Sequence, residues 1–284
     1  MTRDVIGLFQ ILRKLIVFRK DKIMNNIFKK ESVERATTSN WTVGADTAGR
    51  ADAIVRNSGG KSYITWSQEQ VGSGTGIWPF LGRYLVRIDG INEGLTTESN
   101  GVFTPTGELN TIFDNNTAVV LIDNRGTNYG WGANGSNGSA DAQKAKAAAS
   151  ALGIPNDMYI FVDVETAISS LGNYLANYKA TLESGTVKYK MGVYFSSSAF
   201  ETINNQFNLS NTYTWVAKWD DELSYPNWPT DFSSEVSGKG IVKIWQFIKD
   251  QYVTNTNHGS TKLDLNIITD SYSNMIKYMY HPYF

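Results

Sequence analysis

The run Thr117-Ala118-Val119-Val120-Leu121-Ile122-Asp123 limits the fold more than any other stretch of the chain. Side chains of an extended segment alternate between two faces, and here both faces are apolar. Such a strand has no side to give to water and must be covered on both, as in a parallel sheet layered by helices. The next residues of the chain meet that demand. Ser139-Ala140-Asp141 opens an Ala- and Lys-rich helix, and Leu152-Gly153-Ile154-Pro155 carries a Gly/Pro stop signal. A strand from Met158 to Glu165 comes next, then a helix over Leu171–Leu182 and a strand over Lys190–Ser196. A short helix over Ala199–Phe207 and strands over Thr212–Lys218, Ile241–Ile248 and Leu263–Ile267 continue the series, and a helix over Ser271–Met279 closes it. Strand candidates at Thr42–Asp46 and within Trp78–Val86 precede it. Repeated βα units with strands this apolar predict a parallel sheet. About eight strands in ~240 residues is the size of a (β/α)8 TIM-like barrel. The reading is one barrel domain over residues 40–284 behind an arm of residues 1–39.

The arm has its own character. Residues 1–35 carry nine Lys/Arg against four Asp/Glu, whereas the whole chain has a net charge of −1. Val5, Leu8, Phe9, Leu12, Leu15 and Ile16 recur at helical spacing with Arg13, Lys14, Arg19 and Lys20 on the flanks, which predicts a basic amphipathic helix. Arg13-Lys14 interrupt the apolar run too early for a transmembrane span. Asp4 and the lack of a small-residue cleavage site make no clear signal peptide. The arm reads either as a helix packed on its own domain or a poorly ordered extension, or as a helix that docks on a partner protein or an anionic membrane surface.

Composition removes several chemistries. With Cys 0 there are no thiol nucleophiles, disulfides or thiolate metal sites. With only His258 and His281 for imidazole ligands, no metal centre and no cofactor is expected. A net charge of −1 argues against a nucleic-acid partner. Eight Trp and fifteen Tyr suit a surface that grips sugars, though a large core uses the same residues. Gly130-Trp131-Gly132-Ala133-Asn134-Gly135 matches a dinucleotide fingerprint in letters, but Ser136-Asn137-Gly138 separates it from the helix, so a loop is the better reading. His258-Gly259-Ser260 lacks the surroundings of a catalytic triad.

The chemistry therefore falls to carboxylates at strand ends, where parallel barrels place their active sites. Asp46 ends the first strand, Asp163 and Glu165 end the fourth, and Asp264 lies in the last. Within Tyr159–Glu165, Phe161, Asp163 and Glu165 share one face while Ile160, Val162 and Val164 share the other. The aliphatic set suits a helix layer, which turns the acids into the barrel mouth. Cα atoms two apart on a strand are roughly 6.5–7 Å apart. In a partly desolvated pocket two such acids resist ionising together, giving a protonated acid beside an anion, as glycosidic cleavage requires. Asp-x-Glu alone is also a common solvated strand end; the matched acids on the first and last strands add weight to the catalytic reading.

The ordered series Gly44-Ala45-Asp46, Tyr159–Glu165, Gly192-Val193-Tyr194-Phe195-Ser196-Ser197, Trp215-Val216-Ala217-Lys218-Trp219, Ile244-Trp245-Gln246-Phe247 and Leu263-Asp264-Leu265-Asn266 is similar to the strand motifs of family 25 glycoside hydrolases. Those are lysozyme-type muramidases of bacteria and phage endolysins. Gly82-Arg83-Tyr84-Leu85, with Leu95-Thr96 and Glu98, resembles the related glycoside-hydrolase-like domain of unknown function 1906. The resemblance covers about residues 42–270. It implies a peptidoglycan hydrolase at the bacterial cell wall or on a phage particle, with Glu165 as general acid. It makes Asp163 the partner that positions the substrate acetamido group, with Asp46 and Asp264 supporting electrostatics and sugar binding. Asp46-Thr47-Ala48-Gly49 departs from the muramidases' Asp-x-Ser-x-x-Gln, and many members of the related branch have no established activity. Tyr84, Tyr194, Trp215, Trp219 and Trp245, with Gln246 beside them, are candidates for a glycan-binding floor or for barrel filling. The alternative from another class is a non-catalytic glycan-binding or structural module, part of a phage tail or surface assembly.

Overall fold

The structure, a computed structural model, describes residues 42–70, 78–86, 94–124, 137–164, 170–219, 236–251, 253–268 and 272–282. The arm of residues 1–39, the loop Gly130–Gly135 and Glu165 lie outside the described residues. In chain order the first half comprises β1 (Thr42–Thr47), α1 (Tyr63–Gln70), β2 (Phe80–Tyr84), β3 (Thr96–Ser99), β4 (Val102–Pro105), α2 (Glu108–Asp114) and β5 (Ala118–Asp123). Next come α3 (Asn137–Ala151), β6 (Tyr159–Val164), α4 (Leu171–Leu182), β7 (Lys190–Ser196), α5 (Phe200–Gln206) and β8 (Tyr213–Ala217). The last are β9 (Ile241–Ile248), β10 (Thr254–Thr256), β11 (Gly259–Thr261), β12 (Asp264–Ile268) and α6 (Tyr272–Met275).

Eight of these strands close into a barrel in the order β1-β12-β9-β8-β7-β6-β5-β2. Alternation along each strand divides the apolar residues into two cores. Leu81, Leu121, Ile160, Val162, Val193, Val216, Leu265 and Ile267 face outward into a layer shared with the helices. Phe80, Val120, Ile122, Phe161, Trp215, Ile244 and Ile268 fill the barrel itself. Gly82 makes that filling fit: a Cβ there would overlap the Trp215 ring and lie 2.7 Å from Cβ of Asp46.

The expected all-parallel sheet needs one correction. β1, β2, β5, β6, β7, β8 and β9 run parallel to one another around the wall, but β12 is antiparallel to both β9 and β1. The reason is in the connector. Parallel neighbours need a crossover that returns the chain to the starting end, usually through a helix. Between β9 and β12 the described chain forms the small hairpin β10–β11 instead, with His258 in its turn, so the next strand returns directly. Running backwards, β12 delivers the chain to the opposite end of the barrel. There the segment 272–282 covers the amino ends of the parallel strands: Tyr280 exchanges 2.8 Å backbone hydrogen bonds with Val119, and the Lys277 carbonyl accepts one of 3.1 Å from the Tyr159 amide. Tyr278 packs edge-to-face on Phe161 and Tyr213. The helix expected over Ser271–Met279 is accordingly confined, among the described residues, to α6.

Candidate functional site

The carboxyl ends of the parallel strands form the open mouth, and the reversal of β12 decides which of its residues join them. Asp264 is the first residue of β12 and pairs in register with Asp46, near the end of β1. In a parallel strand Asp264 would lie at the far end of the barrel; the antiparallel strand brings the two acids face to face. Asp163 projects inward from β6 beside Tyr194 of β7, its partner in the ladder. Asp46, Asp163 and Asp264 all lie close enough to Tyr194 to oppose ionisation of its buried phenol, which burial and these anions hold well above its ordinary range. Three of the four expected acids thus surround one tyrosine, and Glu165, next in sequence after Val164, is outside the described residues.

Gln246 of β9 organises the group. Its Nε2 donates to Asp46 Oδ1 at 2.9 Å and to Asp264 Oδ2 at 3.1 Å. Its Oε1 accepts from the Tyr194 hydroxyl and from Trp219 Nε1, each at 3.0 Å. A side-chain amide offers two donors and two acceptor sites, and all four are used here. Turning the amide over would set its NH2 against two donors and its oxygen against two acids, so the network fixes its orientation. Asn266, two residues after Asp264 on the same inward face, donates to Asp46 Oδ1 at 2.6 Å and accepts from Trp215 Nε1 at 2.8 Å. Asp46 is 7% exposed. Burial, seconded by the Asp264 charge, pushes its carboxyl up to about 8 against the lowering effect of Asn266, Gln246 and Arg83. Burial pushes Asp264 up to about 6, and the Asp250 amide, which donates to its Oδ1 at 2.6 Å, opposes the rise.

The aromatic candidates separate by position. Tyr84 is half-buried at the inner rim and Tyr194 projects inward. Trp219 is 44% exposed at the mouth, with Lys249 Nζ 4.4 Å from its ring centre. Trp215 is fully buried; it fills the barrel beneath the acids and reaches them through Asn266. Trp245 is a correction, because neighbours on a strand face opposite ways. With Gln246 directed inward, Trp245 lies in the outer helix layer and donates to the Lys218 carbonyl at 2.8 Å. The ion pair Arg83–Glu108 has no signal in the sequence. Arg83 of β2 and Glu108 of α2 are fully buried, 2.6 Å apart, and between them bind the Thr47 carbonyl and the Ala51 amide. They clamp the loop that leaves Asp46. Among the described residues no group of three or more His, Asp or Glu side chains is placed to hold a metal ion.

A carboxylate-lined mouth on an eight-stranded barrel is shared by many unrelated enzymes, and the family follows from the sequence around it. The model of the Rv2525c-like, glycoside hydrolase-like domain matches residues 80–270. The chain belongs to this family. That match runs from β2 to the end of β12 and takes in Arg83, Tyr84, Asp163, Gln246 and Asp264. The family is the domain of unknown function 1906 that Gly82-Arg83-Tyr84-Leu85 resembles. No curated protein matches the chain. Among solved structures, an uncharacterised B. stearothermophilus protein aligns with TM-score 0.55 and 20% identity over 84% of this chain and 99% of its own. The Mycobacterium tuberculosis Tat-secreted protein Rv2525c, solved in complex with L-tartrate, aligns with TM-score 0.50 and 15% identity over 81% of this chain and 96% of its own. The Streptococcus pneumoniae autolysin LytC, solved with a synthetic peptidoglycan ligand, aligns with TM-score 0.44 and 12% identity over 81% of this chain and 47% of LytC. At 20% and 15% identity, the first two speak for the fold alone.

Proposed function

We propose that this glycoside hydrolase-like domain cleaves a bacterial cell-wall glycan, with peptidoglycan as substrate and a muramidase reaction. The observation that carries the reading is the joining of Asp46, Asp264 and Tyr194 through Gln246 at one mouth, with Asp163 beside Tyr194 in the ladder, in a chain of this family. Glu165 is the general acid, protonating the leaving glycosidic oxygen. Asp163 orients the substrate acetamido group, whose oxygen attacks the anomeric carbon; the sugar then leaves through hydrolysis of the resulting ring. Asp46 and Asp264 hold the polar floor, while Tyr84 and Trp219 offer ring faces to sugars. Work on a wall polymer implies action outside the cytoplasm, in keeping with a family whose namesake Rv2525c is Tat-secreted.

Incubation with purified peptidoglycan, followed by mass spectrometry of newly formed reducing ends, tests this directly. New muramic-acid ends are expected from the wild type. Glu165→Gln keeps size but lacks the transferable proton, and should cost at least ~10²-fold in turnover with melting temperature unchanged. Binding of peptidoglycan without new reducing ends would establish the non-catalytic module instead. Turnover untouched by Glu165→Gln would move the acid role to another carboxyl.

A further inference from the structure

Asp46 and Asp264 are served very differently by their surroundings. Asp264 receives a donor on each oxygen, the Asp250 amide on Oδ1 and Gln246 Nε2 on Oδ2. Lys249 and Lys262 also favour its anion. Asp46 receives both of its donors, Gln246 and Asn266, on Oδ1 alone. No described residue donates to its Oδ2. Asp46, buried, faces the half-buried Asp264 in register, and two such anions oppose each other's ionisation, so the pair retains one proton. Every donor-occupied oxygen is a poor seat for that proton. The remaining seat is Oδ2 of Asp46.

We infer that Asp46 stands in the mouth as a neutral acid, with its proton on Oδ2 offered as a hydrogen-bond donor to an oxygen acceptor of the bound ligand. For a glycan that acceptor is a hydroxyl, ring or acetamido carbonyl oxygen. The floor therefore recognises oxygen acceptors through a group that, read as an ordinary carboxylate, would only accept. The rise of the Asp46 carboxyl to about 8 agrees with this. The charged and titratable groups facing the pair come from every side: Arg83 and Tyr84 on β2, Asp163 on β6 and Tyr194 on β7. Asp250, Lys249 and Lys262 face it from the β9–β12 connection, and Tyr63 from α1. The inference rests on the mouth being a glycan site, as proposed for its function, and is independent of whether turnover occurs.

Infrared titration of the whole protein carrying Glu165→Gln, which removes the band of the proposed general acid, tests it, with N-acetylglucosamine trisaccharide binding of the wild type measured in parallel. In that background a protonated side-chain carboxyl band is expected at pH 7 that fades as pH passes about 8. Adding Asp46→Asn should remove that band, and adding Asp264→Asn, which removes the facing charge, should make it fade at lower pH. Trisaccharide affinity should fall about tenfold or more between pH 7 and pH 9 in the wild type, a loss of ~1.4 kcal/mol. It should stay level in Asp46→Asn, whose amide remains a donor at every pH. Absence of the band at pH 7 in the Glu165→Gln background, or a band there that survives Asp46→Asn, overturns the proton's placement. A band as expected with pH-independent binding overturns the donor role. If the trisaccharide fails to bind at any pH, the glycan reading falls together with the donor role, and the band alone decides where the proton resides.

Discussion

Replacing Asp46 by Asn should make this protein more stable, and by an amount that depends on pH in a set way. A carboxyl whose folded-state affinity for protons is raised stays protonated in the fold where the unfolded chain has already lost its proton. Its contribution is harmless below the unfolded value of 3.8, and stability falls as pH climbs from there to about 8. Each unit of that interval is worth ~1.36 kcal/mol. From pH 4 to pH 7 the burial of Asp46 therefore costs at most ~4 kcal/mol, against total stabilities of ~5–15 kcal/mol for domains generally. Asn lacks the charge, and its Oδ1 still accepts from Gln246 and Asn266 as Asp46 Oδ1 does. Urea unfolding of both proteins at half-unit steps from pH 4 to pH 9 is the assay, with slopes compared to verify that only the midpoint moves. The variant should match the wild type near pH 4, gain steadily to ~3–4 kcal/mol by pH 7, and level off above pH 8. A difference that is flat across this range, or a variant less stable at pH 8, would refute the idea that buried Asp46 is held against its charge.

Three more outcomes are expected from the same geometry. Gly82→Ala pushes a methyl into Trp215 and Asp46, and should cost ~1–3 kcal/mol with a shift in tryptophan fluorescence; an unchanged urea midpoint would mean that the barrel filling yields easily. Glu108→Gln removes the anion paired with the buried Arg83 guanidinium, and a loss of ~3–5 kcal/mol is expected in the same denaturation assay. Trp219→Ala, at an exposed site, should change stability by less than ~1 kcal/mol yet weaken peptidoglycan binding in a pull-down titration by about tenfold, or ~1.4 kcal/mol; equal binding would remove Trp219 from the glycan surface.

The legible parts of this fold are those where the period-2 pattern has no competitor. Ile160, Val162 and Val164 against Phe161 and Asp163 can lie only one way round a barrel wall, and the structure places them so. The same rule separates Trp245 from Gln246, which membership of one motif runs together. Strand direction is another matter: Asp264, Asn266 and Ile268 face inward whichever way β12 runs, because alternation carries no polarity. Direction is set by a connector whose residues Thr254–Thr261 form a polar hairpin with little apolar signal. The β3–β4 hairpin also escapes the apolar pattern because its side chains are mostly exposed. Its Asn100-Gly101 turn, with both φ angles positive at 51° and 78°, is nevertheless the strongest short hairpin signal a sequence offers. Asn266 carries no mark of its role. An amide two residues beyond an acid acquires meaning only when a third strand brings Asp46 against it.

Closing the barrel between its first and last strands also sets when the site comes into existence. Asp46 is separated from its two donors by 200 and 220 residues. On a ribosome adding ~5–20 residues per second, the first strand waits roughly 10–45 s for the side chains that will solvate its acid. During that interval β1 has β2 on one side and a bare edge on the other, the state in which strands pair with the wrong chain. A charged Asp46 on that edge opposes such pairing, since an aspartate in water is ionised and repels a sheet that would bury it. The carboxyl that strains the finished barrel thus guards its open seam until β12 arrives, and a chain carrying Asn at position 46 trades that protection for stability once folded.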